Sequence, residues 1–304
     1  MQRVALKIDV DTLRGTLEGV PALADALHRS ACGASFFFSV GPDNTGRALR
    51  RILRPGFFGK VRRTSVISHY GLRTLTRGLL WPGPQIGVQA AHVMKAVRDR
   101  GFEVGVHCYD HVRWQDYVAR RGQAWTRREL DRACLAFRKA LGTPPEAHAA
   151  AGWQMNPAVV RLESSMAFRY ASDTRGHEPF LPSMENAEGT CPQLPTTLPT
   201  LDELIGVDGA TAEDAAREIL RLSQVPLPQG HVFTAHAELE GMALRDTFER
   251  MLAAWRAAGM RLVALRDVYA SLDLAALPRD RISMQPFPGR SGTLACQAAR
   301  IVPS

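Results

Sequence analysis

Two short motifs carry the residues best suited to chemistry: Asp9 and Asp11 in the run IDVDT at 8–12, and His107 and His111 in HCYDH at 107–111. Together they offer two carboxylates and two imidazoles, enough to hold one divalent cation and leave a water within reach of a base. The pattern points to a hydrolase. Side chains alternate between faces along a strand, so Asp9 and Asp11 emerge on one side and Val10 on the other. Two ionised carboxylates so close repel each other; a cation removes that penalty and lets one ligate while the other stays free. Acidic residues also follow strands as helix caps, and this motif alone leaves both readings open.

The second motif follows the apolar run FEVGV at 102–106. His107 leaves the strand end and His111 comes four residues on, after a turn, so both rings can face one point. Imidazole ligands favour zinc, cobalt, nickel or iron over magnesium. A His-x3-His pair by itself is more often a surface or core pair, and it gains weight from the Asp-x-Asp at an earlier strand end. A third element, GHVFTAHAELEG at 230–241, reads as a strand carrying His236, with Glu238 and Glu240 behind it. A histidine across the metal from the base can protonate a leaving amine or alcohol; a strand-end histidine satisfied by a carboxylate is the plainer alternative.

These residues need strands to present them, and the 304-residue chain alternates accordingly. Strands are expected near 4–10, 33–40, 102–108, 146–151, 168–173, 230–236 and 260–265. Helices are expected near 20–30, 86–100, 126–141, 156–166, 211–224 and 243–258. Pro21 marks a first helical turn, Thr126 with Glu129 reads as a capping box, and Asn156-Pro157 as cap and first turn. The order suits a single α/β barrel domain over 1–304, with the chemistry at the C-terminal ends of its strands.

Charge is concentrated. Nine of the 38 basic residues and one of the 30 acids fall in 42–85, so this stretch holds the whole net charge of +8. Arg50, Arg51, Arg62 and Arg63 interleave there with Phe57, Phe58 and Trp81, part of the run at helical spacing. Basic side chains around an apolar face suit an interfacial helix on an anionic leaflet. Plain packing on the barrel and nucleic-acid binding are the other readings. The five cysteines are odd in number, widely spaced and without a Cys-x-x-Cys, which fits a reducing compartment. Met1 stands directly before the first strand, leaving no room for a signal peptide, and no run approaches the roughly 18 apolar residues that span a bilayer. A cytosolic protein is expected.

The order Asp-x-Asp, His-x3-His, AAGWQMN at 150–156, SDTRG at 172–176 and TAHAELEG at 234–241 resembles the polysaccharide deacetylase superfamily, carbohydrate esterase family four. Within it, IDVDTLRGTLEGVP (8–21), FFFSVGPDNTGR (36–47), PTTLPTLDELIG (195–206) and the Cys296-Gln297 pair resemble the branch that deformylates 4-deoxy-4-formamido-L-arabinose on undecaprenyl phosphate. The resemblance implies a distorted (β/α) barrel with 42–85 as a basic amphipathic insertion. It implies Asp9 as catalytic base, Asp11, His107 and His111 as ligands of one divalent ion (zinc, cobalt, manganese or nickel), and His236 as general acid. Trp153 would wall the sugar pocket and Asp173 would orient the acid histidine, with Glu238 also in the site. The family's third motif supplies an arginine that orients the base; here Gln154 stands in that motif, and Arg175 is the nearest replacement. The implied partners are a polyprenyl-phosphate-linked sugar and the anionic cytoplasmic face of a bacterial inner membrane, with no nucleic acid, in a pathway of lipid A modification and polymyxin resistance. The competing readings are deacetylation of another amino sugar and a non-catalytic membrane or nucleic-acid binding protein.

Overall fold

The computed structural model of the chain describes residues 2–48 and 83–298. Its strands are β1 (Arg3–Val10), β2 (Ser35–Ser39), β3 (Glu103–Cys108), β4 (Ala147–His148), β5 (Tyr170–Ala171), β6 (Leu181–Met184), β7 (Ala187–Glu188), β8 (His231–His236), β9 (Arg261–Val263), β10 (Arg279–Pro286) and β11 (Thr293–Gln297). Seven form one parallel sheet in the order β5-β4-β3-β2-β1-β8, with β9 also on β1. The sheet curls until its edges approach. Segment 192–198 bridges them: Ala171 N donates to Pro192 O and Leu194 N to Ala171 O on one side, and Thr197 N donates to Val232 O on the other. Pro192, Pro195 and Pro199 lack the N–H that a ladder needs, so this seam stays irregular. The expected distorted α/β barrel is the fold observed.

Alternation along β1 sorts its residues. Val4, Leu6, Ile8 and Val10 face the outer layer, where they pack with Leu23, Leu27, Phe248 and Trp255. Ala5 faces inward with Phe37, Tyr170 and Leu194, and Lys7 and Asp9 share its face by the same period of two. Phe36, Phe37 and Phe38 of β2 are fully buried, each stabilising by roughly 1.5–3 kcal/mol. Helices Val20–Arg29, Ala91–Asp99, Gln123–Leu141, Pro157–Ser165, Ala212–Leu222 and Arg245–Ala257 follow the expected order. Pro21 lies in a first turn, and Asn156 Oδ1 caps its helix by accepting from Ala158 N at 2.9 Å and Val159 N at 3.1 Å. The expected capping box at Thr126 is not formed. That helix starts at Gln123, placing Thr126 inside its first turn, where its hydroxyl donates to Gly122 O while Glu129 pairs with Arg113.

A second sheet, β11-β10-β6-β7, lies outside the strands expected from the sequence. β6 and β7 are short, with Pro182 inside β6, and Pro286 ends β10; the sheet docks on the SDTRG segment, where Arg175 N donates to Ala295 O and Gln297 N to Arg175 O. Gln297 Oε1 also accepts from His177 N at 2.9 Å, which ties the Cys296-Gln297 pair to the SDTRG segment. Arg50, Arg51, Phe57, Phe58, Arg62, Arg63 and Trp81 lie outside the described residues. The two ends of that stretch meet where Asp43 N donates to Pro84 O at 2.9 Å. Among the described residues, no helix is long and apolar enough to cross a membrane.

Candidate active site

The strand ends bring Asp11, His107 and His111 together. Asp11 Oδ1 lies 3.4 Å from His107 Nε2 and 3.3 Å from His111 Nε2, and the three donor atoms fall within 4.8 Å of one another. His107 is aimed by a bulge: Phe38 pairs with Val106 and Ser39 with Cys108, so His107 is the extra residue on β3. His111 opens the helix His111–Tyr117, whose N-cap Asp110 accepts from Arg113 N. Asn44 donates to the other oxygen of Asp110 at 2.6 Å. Asp11 is fixed through its backbone, because the buried Glu238 carboxylate accepts from Asp11 N, Thr12 N and the Thr12 hydroxyl. Gly15 makes room for it, since a Cβ there would overlap Glu238 Oε1. Burial and then Asp11 push the Glu238 carboxyl up to about 8. Burial would raise Asp11 as well, but His111 and His107 outweigh it and hold its carboxyl well below the usual range.

This donor set fits a divalent cation. Asp11 Oδ1 is buried with no hydrogen-bond partner, although it faces two imidazole nitrogens. One carboxylate and two imidazoles leave coordination positions open for water and substrate.

Asp9 sits beside the cluster, with Oδ1 3.9 Å from His107 Nδ1 and also without a hydrogen-bond partner. Its Oδ2 lies 3.2 Å from Lys7 Nζ, a fully buried ammonium. In the β1–β8 ladder, Asp9 is the register partner of His236. The backbone N–H of His236 donates to Glu240 at 2.7 Å, and its ring meets the Trp153 ring edge-on, with centroids 6.4 Å apart. Burial would lower the His236 imidazole, but Asp202, Asp11 and Glu240 together outweigh it and raise it. Trp153 is buried and has φ 51°, directly after Gly152 at φ 61°. A left-handed tryptophan costs roughly 1–2 kcal/mol, and surrounding contacts hold it there. Lys7, Arg175 and Arg290 lie 5.1–5.2 Å from its ring centre, and its indole N–H donates to Thr196 Oγ1.

Two expected roles are corrected by position. Arg175 does not pair with Asp9: its guanidinium donates to Glu203 at 3.1 Å and to Leu198 O at 2.8 Å, and it stacks near Phe287. Its backbone bridges to Thr196 and to Cys296 of the second sheet. Asp173 does not meet His236 either, but accepts from Ala150 N and lies 3.3 Å from His148 Nδ1, within a buried group that includes Glu163 and Gln193. Burial would lower His148, but Asp173 and Glu163 raise it to about 10. Gln154 is turned outward, its amide donating to Thr293 O. Sequence reasoning missed Lys7, Asp202 and Arg290. For Lys7 a signal existed, namely a cation two residues before Asp9 in an otherwise apolar strand. Asp202 and Arg290, 2.9 Å apart, meet only in the fold.

The curled parallel sheet that carries this carboxylate and these two imidazoles is the fold of solved polysaccharide deacetylases. A solved structure named as a polysaccharide deacetylase of Mycobacterium smegmatis matches with a TM-score of 0.62 at 15% identity, covering 94% of this chain and 95% of that one. A carbohydrate esterase family four pseudoenzyme of Bacillus anthracis matches at 0.53 and 14% identity, covering 92% and 69%. No family model matches the chain. A Shewanella sediminis protein named as the 4-deoxy-4-formamido-L-arabinose-phosphoundecaprenol deformylase ArnD is 39% identical over 300 residues, covering 98% of this chain and 96% of that protein. A Wigglesworthia glossinidia brevipalpis protein of the same name is 32% identical over 284 residues, covering 93% and 98%. The chain belongs to this deformylase family, as its motifs led us to expect.

Proposed function

We propose that the chain hydrolyses the formamide of 4-deoxy-4-formamido-L-arabinose carried on undecaprenyl phosphate, giving formate and the amino sugar used in lipid A modification and polymyxin resistance. The observation that carries this is the juxtaposition, at neighbouring strand ends, of the Asp11–His107–His111 cluster with an unsatisfied Asp9 oxygen and with His236. A divalent cation held by Asp11, His107 and His111 would supply Lewis acidity toward the formamide carbonyl and the attacking water. Asp9 Oδ1 takes a proton from that water as it attacks. His236, raised by its carboxylate neighbours, gives a proton to the sugar nitrogen, so the C–N bond breaks to release an amine rather than an amide anion. Glu238 keeps Asp11 in place through the backbone, and Trp153 walls the side of the site next to His236.

The cation would be of zinc, cobalt, manganese or nickel type, with the two imidazoles favouring zinc, cobalt or nickel and the carboxylate admitting manganese. Segment 42–85 would bring the site to the lipid at the cytoplasmic face of the inner membrane, its basic residues meeting the anionic leaflet. Residues 1–304 then act as one catalytic domain. Formate release from a formamido-arabinose lipid phosphate, with and without chelator, tests the reading. Release that persists in chelator would remove the metal, and acetate release from acetylated sugars at a higher rate would favour an amino-sugar deacetylase.

A further inference from the structure

Lys7 is 0% exposed and lies inside the barrel. Two of its contacts are polar: it donates to Ser172 O at 3.0 Å, and its Nζ stands 3.2 Å from Asp9 Oδ2. The Trp153 ring lies 5.2 Å away and the Phe37 ring 6.0 Å. A buried ammonium is costly unless it is paired and hydrogen-bonded, so a lysine kept at this position needs the carboxylate above it. Ser172 holds the other end, its N–H donating to His148 O on β4. The two arginine-like alternatives are spent elsewhere: position 154 is a glutamine bonded to Thr293 O, and Arg175 serves Glu203 and Leu198 O.

We propose that Lys7 is the positioning residue for Asp9. It engages Oδ2 as a point charge, and this turns Oδ1 toward His107, where that oxygen is buried and without a hydrogen-bond partner. A guanidinium placed opposite the carboxylate would tend to take both oxygens in a fork; an ammonium reaching up the same strand face takes one. Strand geometry makes the reach possible, because residues i and i+2 lie on one face roughly 6.6 Å apart and a lysine stem spans that distance. Lys7 acts through Asp9 and does not itself touch the reacting atoms. The inference rests on the assignment of Asp9 as base.

The test is a double-mutant cycle on the full-length, metal-loaded protein, with a short-chain formamido-arabinose phosphate and 4-nitroformanilide as parallel substrates. In Lys7→Met, which keeps the apolar stem, kcat should fall about 100-fold, the loss expected for a misplaced catalytic group, while KM and metal content stay within about threefold. In the Asp9→Asn background the same change should alter kcat by less than about threefold. Ethylamine should restore part of the kcat of Lys7→Ala in a saturable way, which a structural defect would not allow. Equal losses in both backgrounds would overturn the proposal, as would a Lys7→Met kcat within threefold of wild type. If Lys7→Ala does not fold, the methionine cycle decides alone. Turnover of the anilide but not the sugar would count against the substrate assignment and leave the Lys7 result standing on the anilide.

Discussion

Asp11, His107 and His111 reach their cluster from the ends of two strands and the first turn of one helix, all within the first half of the chain. His236 instead stands among side chains delivered by separate later segments: Trp153, Asp202 and, at the tip of the loop between β10 and β11, Arg290. The metal half is held through its backbone: His107 belongs to the parallel ladder, His111 to a capped helix, and Asp11, one residue past β1, donates its N–H to the buried Glu238. The acid half is held by side-chain contacts, with Arg290 pairing to Asp202 and Glu203 and Trp153 wedged between cations. Changes in the first half should therefore remove function outright, and changes in the second should tune it.

The largest effects are expected in the metal half. Asp11→Ala and His107→Ala should lose bound metal and turnover together, whereas Asp9→Asn should keep its metal and lose about 10²–10⁴-fold in kcat. Metal analysis of the purified variants beside formate release measures both. Equal metal content in all three would mean that base and ligands have been confused.

In the acid half, His236→Gln should retain metal, lower kcat and abolish the basic limb of its pH profile. The sign follows from the raised imidazole: an acid must be protonated to act, so activity is present below its pKa and is lost as pH rises through it. Asp202 is the largest of the influences that raise His236, against the lowering effect of burial. Asp202→Asn should then shift the basic limb to lower pH, with little change in the maximum rate. A limb that stays in place in Asp202→Asn would detach Asp202 from the acid.

The two halves were also unequally legible in the sequence. Asp-x-Asp and His-x3-His announce themselves because period-two alternation and a short turn make their convergence a local matter. The bulge that frees His107 from the β2–β3 register carries no such mark. Arg175 and Asp173 lie in a motif whose neighbourhood to the site is real, yet each turns to a different partner, Glu203 and His148, since their orientation depends on the docking of the second sheet and on segment 192–198. Lys7 was open to inspection, because it is one cation in an apolar strand and stands two residues before Asp9, on the same face.

Arg175 offers a smaller effect that sharpens the comparison. Its guanidinium and that of Arg290 both reach Glu203 Oε1, which is buried. Arg175→Ala should cost about 3 kcal/mol of unfolding free energy, the low end for breaking a buried pair, because Arg290 remains to meet the carboxylate. Gln154→Ala should cost less than about 1 kcal/mol, as surface changes do. Denaturant midpoints test both. A turnover loss in Arg175→Ala beyond the loss of folded protein would return that residue to the chemistry.

The smallest effect on chemistry is expected from the basic stretch. Its root touches the metal half: Asp43 accepts from Leu13 N, and Asn44 donates to Asp110, the cap of the helix that begins with His111. If the stretch docks on anionic lipid, replacing Arg50, Arg51, Arg62 and Arg63 with Gln should weaken liposome binding by a few kcal/mol at most, at about 1 kcal/mol per charge. The difference from wild type should shrink as added salt screens the charges. Turnover of a water-soluble, short-chain substrate should stay at the wild-type rate, because none of the four arginines is a proposed ligand, base or acid. Salt-independent liposome binding would leave Phe57, Phe58 and Trp81 as the membrane contact, and no binding by either protein would return the stretch to packing. A loss of turnover on the soluble substrate, with metal retained, would show that the stretch acts on the metal half through its root rather than by bringing the enzyme to lipid.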